Sequence, residues 1–175
     1  MLLYKMSAFQ EKEKTARIFT LYLSTQTPAG NPYAPVGDHT NKSIVTWNIN
    51  WNALYGGTPF QGEERFARVK FQLHSLAQDS IYTWAANSGV LAIQGLGNQY
   101  SNSANGLTLG MVGPIDNPVA GNPSHILYGD TLQTGGVLMN LPYGYQPITV
   151  LLINRTGALQ SNTLDYQLIL QFEME

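Results

Sequence analysis

The sequence predicts an all-β protein, an antiparallel β-sandwich folded as a single jelly roll of about eight strands. Three observations carry this expectation. Apolar and polar residues alternate with a period of two through most of the apolar segments, the mark of a strand with one buried face. Clusters of Gly, Pro and Asn separate those segments at short intervals, as turns must. Beyond the N-terminal segment no stretch shows the 3.6-residue period of a core helix, which leaves sheet packed on sheet as the architecture. At 175 residues the chain is long enough for one well-covered core and short for two.

Residues 1–17 stand apart as an N-terminal arm, with 18–175 as the jelly-roll domain. Lys5, Glu11, Lys12, Glu13, Lys14 and Arg17 supply six of the twenty charged residues, nine basic plus eleven acidic. Met6 and Phe9 are spaced to share one face of a short helix, and a solvated terminus is the equal alternative. The first strand follows at 18–23, where Phe19, Leu21 and Leu23 face one way and Thr20 and Tyr22 the other. Three prolines and two glycines in 28–37 cannot sustain a ladder, so that stretch reads as a long surface loop.

The clearest alternation lies in 44–51, with Val45, Trp47, Ile49 and Trp51 on one face and Thr46, Asn48 and Asn50 on the other. Residues 66–74 repeat it, Ala67, Val69, Phe71 and Leu73 inward and Arg68, Lys70, Gln72 and His74 outward. Further strands are expected at 81–84, 90–93, 107–112, 125–128, 137–139, 148–153 and 166–172. The continuously apolar run 148–153 suits a strand covered on both faces. The last strand sets Tyr166, Leu168, Leu170, Phe172 and Met174 against Gln167, Gln171 and Glu173.

Composition narrows function. Charged residues make up 11% of the chain, well under the roughly 25% usual for soluble domains. Asn, Gln, Ser, Thr and Tyr replace them, giving a weakly self-repelling surface that favours subunit packing. The remaining cations, Lys42, Arg65, Arg68, Lys70 and Arg155, are dispersed, so no sequence-specific nucleic-acid binding is expected. Cysteine is absent, which removes disulfides, thiolate chemistry and cysteine zinc sites from consideration. No apolar run reaches the length of a membrane span, and the first residues do not read as a secretory leader, so synthesis in the cytoplasm is expected. The acceptor patterns at Asn41 and Asn154 are therefore expected to stay bare.

Catalytic constellations are missing. His39, His74 and His125 lack the paired spacing of a metal site. Asp38 next to His39 reads as a solvated loop pair rather than an oriented imidazole. Glu63 and Glu64 make a weak carboxylate pair, and Asp116, Asp130 and Asp165 sit where Asp caps its own backbone. The glycines at 95 and 97 lack the lysine and helix of a phosphate cradle. No enzyme activity, catalytic residue, metal or cofactor is expected. Tyr33, Tyr55, Tyr100, Tyr143 and Tyr145 lie in loop-like segments, as interface aromatics or sugar-stacking platforms would.

Taken together, the strands at 17–23, 47–52, 66–74 and 166–172, the asparagine-rich surface and the absent cysteines resemble single jelly-roll capsid proteins, of penton or minor capsid type, from large double-stranded DNA viruses and related smaller viruses. The likeness spans about residues 17–175. It implies a virion structural protein acting through self-association and contacts with other capsid proteins. Its arm, from Lys5 to Arg17, would clamp neighbours, and the loops at 28–41 and 95–106 would form contacts. The interface candidates are Lys5, Met6, Phe9, Arg17, Tyr33, Tyr100, Tyr143 and Tyr145. The chain is too short for a double jelly-roll major capsid protein. A lectin-like or receptor-binding sandwich is the alternative.

Overall fold

Alternating segments become ladders in the computed structural model of the chain, which describes residues 17–55, 66–75, 89–94, 107–114, 127–154, 157–159 and 165–174. The strands among them are β1 (Arg17–Ser24), β2 (Pro35–Val36), β3 (Ile44–Asn50), β4 (Phe66–Ser75), β5 (Gly89–Gln94), β6 (Leu107–Pro114), β7 (Leu127–Asp130), β8 (Val137–Asn140), β9 (Tyr145–Asn154) and β10 (Tyr166–Met174). One helical turn, α1 (Trp51–Leu54), interrupts them. The expected arm up to residue 16, the strand at 81–84 and the loop at 95–106 lie outside the described residues.

Every pairing is antiparallel, and the pairings nest. β1 pairs with β10, β3 with β9, β4 with both β7 and β8, and β5 with β6. A chain paired in that way is a long hairpin, and it rolls up because β10 also pairs with β4 and β9 with β5. The result is the jelly roll. One layer holds β1, β10 and β4, extended by β7 and β8, and the other runs β2-β3-β9-β5-β6. The layers join where Gly113 and Pro114 of β6 pair with Tyr128 and Leu127 of β7.

The two layers hold ten strands among the described residues, against the eight or so expected. Pro35 and Val36 pair with Trp47 and Thr46 inside the supposed loop. The edge tolerates them because proline there sacrifices no central ladder bond. On the other layer two short strands share the edge of β4. Between them Thr131 donates its N–H to the Phe71 carbonyl at 2.8 Å and accepts the Phe71 N–H on its hydroxyl at 2.9 Å, standing in for a ladder rung.

A second correction concerns Trp51. It does not extend β3: Asn50 caps α1 by accepting the Ala53 N–H at 3.1 Å. An asparagine that bonds forward to the backbone offers the chain an alternative to the ladder. Trp51 is nevertheless buried, so its inward assignment holds by a different route.

Between the layers lie Trp47, Trp51, Phe71, Tyr166 and Phe172, all enclosed, with aliphatic residues around them. Phe71 is framed by two glycines. A Cβ on Gly110 would lie 3.0 Å from the ring, and one on Gly129 would lie 2.9 Å from it and 2.7 Å from the Met111 carbonyl oxygen. The apolar run in β9 is covered on both faces, as expected. Ile148, Val150 and Leu152 enter the main core, while Leu151 and Ile153 form a second cluster with Ala92, flanked by Val90.

Candidate interaction surface

β1 starts, and β3 ends, at one end of the sandwich, and there the contacts run residue to residue across the layers. The Arg17 guanidinium sits 5.3 Å above the Phe19 ring, within cation–π range. Phe19 meets Tyr55 edge-on at 5.1 Å, Tyr55 stacks on Trp51 at 6.3 Å, and Trp51 meets Phe172 edge-on at 5.5 Å. From Trp51 the path continues through backbone: its N–H donates to the Gly144 carbonyl at 2.8 Å, and the Gly144 N–H donates to Asn52 Oδ1 at 3.0 Å. Gly144 has φ +71°, a conformation glycine adopts without penalty.

These two bonds hold the Tyr143–Tyr145 turn against α1. Both tyrosines are 67% exposed, while Leu141 and Pro142 just before them are buried. A large amphipathic ring on a pinned backbone loses little conformational freedom when covered, which suits a contact residue.

Of the interface candidates, Arg17, Tyr143 and Tyr145 therefore come to one end of the molecule. Arg17 belongs to β1, opposite Met174, and not to the arm. Tyr33 lies apart, exposed beside the β2 edge, its N–H held by Asn31 Oδ1 at 2.9 Å. Tyr55 is no platform: packing in the aromatic chain buries it and pushes its phenol pKa up. Lys5, Met6, Phe9 and Tyr100 lie outside the described residues.

One exposed apolar surface was not singled out from the sequence. On β1, Ile18 and Tyr22 are 53% and 49% exposed, with Thr20 exposed between them. The alternation placed Thr20 and Tyr22 outward. That β1 is an edge strand follows only from pairing between distant parts of the chain.

Asp38, His39, Asp130 and Asp165 each bond to neighbouring segments of the chain. His39 Nδ1 lies 3.0 Å from the Gly37 carbonyl, and Asp38 accepts both the N–H and the hydroxyl of Thr40. The Thr40 backbone bond chiefly holds the Asp38 carboxyl below its ordinary pKa, and the carboxylate does not orient the imidazole. Asp130 caps Leu132 N–H at 2.7 Å, as expected, and also accepts Tyr128 and Gln72.

Asp165 bonds to side chains far off in the sequence. It accepts the Thr25 hydroxyl at 2.7 Å and the Gln26 amide at 3.1 Å, and Lys42 approaches to 3.3 Å. Partial burial pushes its carboxyl pKa up, and those donors together outweigh the burial and hold it below the usual range. Three distant stretches of chain are stapled there. Among the described residues no three His, Asp or Glu side chains gather as a metal site, and no helix is long and apolar enough to cross a membrane.

No protein-family model and no curated protein matches the chain. Among solved structures, the Kashmir bee virus empty particle at acidic pH aligns over 92% of this chain and 90% of its own, with 17% identity and a TM-score of 0.24. An overlap that low carries no conclusion about function.

Proposed function

We propose that the chain is a structural subunit of a virion, a penton or minor capsid component that acts by self-association and by contacts with other capsid proteins, and not a catalyst. The observation that carries this reading is the pinned pair Tyr143 and Tyr145, presented at one end of a rigid, weakly charged jelly roll. Interfaces draw on such aromatic anchors, and a neutral surface is covered without stranding ions. Jelly rolls also serve as lectins and enzymes, so the fold alone does not decide the role.

Light scattering coupled to size exclusion tests the proposal. The wild-type chain is expected to associate as its concentration rises. Tyr143→Ala with Tyr145→Ala is expected to weaken that association at least about tenfold, the loss of one modest anchor. A wild-type chain that stays at 19.3 kDa at high concentration, alone and with candidate capsid partners, contradicts it. The same exposed pair favours a second reading, a sugar-stacking platform. Saturable glycan-array binding that the double variant abolishes, without any association, would select that reading instead.

A further inference from the structure

We infer that β1 is a pairing edge, and that its occupant is β1 of a second copy, antiparallel across a two-fold axis at Thr20. The inference rests on the proposed assembling role and adds to it a second surface, separate from Tyr143 and Tyr145.

β1 ends the strand order of its layer and pairs along all eight residues with β10. From Ile18 to Ser24 no second strand pairs with it among the described residues. Proteins normally blunt such an edge with a charge, a proline, a bulge or a very short strand. The opposite end of the sheet is blunted in two of these ways, since β2 has two residues and one is Pro35. β1 has none of them from Ile18 to Ser24: no charge and no proline in the sequence, and an unbroken register against β10.

Self-pairing is chosen over pairing with a different strand because β1 is complementary to itself. With Thr20 opposite its copy, Ile18 of each chain faces Tyr22 of the other, and the threonines face each other. Aromatic with β-branched and Thr with Thr are both favourable cross-strand pairs. A charged residue near the axis would meet its own like charge, and β1 offers none there. The outer surface continues the match, because Tyr22 lies opposite Ile169 on β10. The paired strands would thus join two layers into one sheet with Ile169, Tyr22 and the partner's Ile18 in a row. A two-fold contact of this kind is closed and does not propagate by itself.

The absence of cysteine makes the test direct. Directly opposed residues in an antiparallel pair have Cα atoms about 4.5–5.5 Å apart, within disulfide reach. Thr20→Cys in the whole chain is expected to form a covalent dimer under mild oxidation at least about tenfold faster than the exposed control Gln133→Cys. Thr20→Lys and Thr20→Glu, exposed and harmless to the core, are each expected to weaken dimerisation in sedimentation. Mixed one to one, they are expected to restore it. Overturning results are cross-linking of Thr20→Cys no faster than the control, or a Thr20→Lys chain that associates like wild type. If either occurs while the Tyr143 and Tyr145 variants still weaken association, the edge pairing fails and the subunit role stands. A wild-type chain monomeric throughout removes both.

Discussion

Asp165 and Tyr166 are neighbours whose polar groups meet opposite fates. The Asp165 carboxylate is held by three donors from distant segments, so Asp165→Asn is expected to cost about 1–3 kcal/mol near neutral pH, the worth of hydrogen bonds to a charged group, measured by chemical denaturation. Its folded pKa lies below the unfolded value, so the contribution is complete above about pH 4 and is lost as pH falls through the lowered value. The gap between wild type and Asp165→Asn should therefore close on acidification. The Tyr166 hydroxyl is enclosed and has no hydrogen-bond partner among the described residues, and burial raises its pKa so that it stays neutral. Tyr166→Phe removes an unpaired polar group and keeps the ring against Trp47, 6.4 Å away. It is expected to raise stability by about 1 kcal/mol; a loss of that size would show that the hydroxyl is satisfied in solution. Alternation in the sequence placed Tyr166 inside. Nothing local could place Asp165, because Thr25 and Lys42 are brought to it only by the rolled chain.

At the level of elements, the strands at 44–50, 66–74 and 166–172 were legible because each presents one face to the core and the other to solvent, so period two survives in the residues. The Trp51 turn was not, since Asn50 reads equally as an outward strand residue and as a helix cap, and only the Ala53 N–H decides. β2 was hidden by the three prolines of 28–37, and the cost of its own Pro35 vanishes at an edge. β7 and β8 were both expected, at 125–128 and 137–139, but that they share the edge of β4 was not, since the join depends on Thr131 bonding to Phe71, sixty residues away, which no short window contains. The packing of β4 against β6 and β7 makes its own prediction. Gly129→Ala drives a methyl towards the Met111 carbonyl and the Phe71 ring and is expected to destabilise by about 1–3 kcal/mol, as overpacking does. Gly135→Ala, with open space around it, should stay within about 0.5 kcal/mol. Equal effects in thermal or urea unfolding would contradict the close approach of these strands at Phe71.

On the scale of the whole molecule, the proposed role rests on two features: an end that displays Tyr143 and Tyr145 on a pinned turn, and an edge, β1, with no charge, proline or bulge from Ile18 to Ser24. The sequence made the neutral surface and the loop tyrosines visible. It could not show that Arg17 and the tyrosine turn share one end, or that β1 lies at an edge, since both follow from pairings between the start and the end of the chain. Covering both surfaces, as proposed, would leave the core untouched, because Ile18, Tyr22, Tyr143 and Tyr145 are exposed while Leu21 and Leu23 of the same β1 lie inside. Hydrogen exchange of the full chain, followed by mass spectrometry at dilute and at associating concentrations, tests this most directly. The account predicts slower exchange on association in the peptides holding Arg17–Ser24 and Tyr143 to Tyr145, with β3 and the Ile148 to Ile153 stretch of β9 protected at both concentrations. Exchange that is unchanged everywhere on concentration, or slowed only in peptides remote from both surfaces, would contradict it.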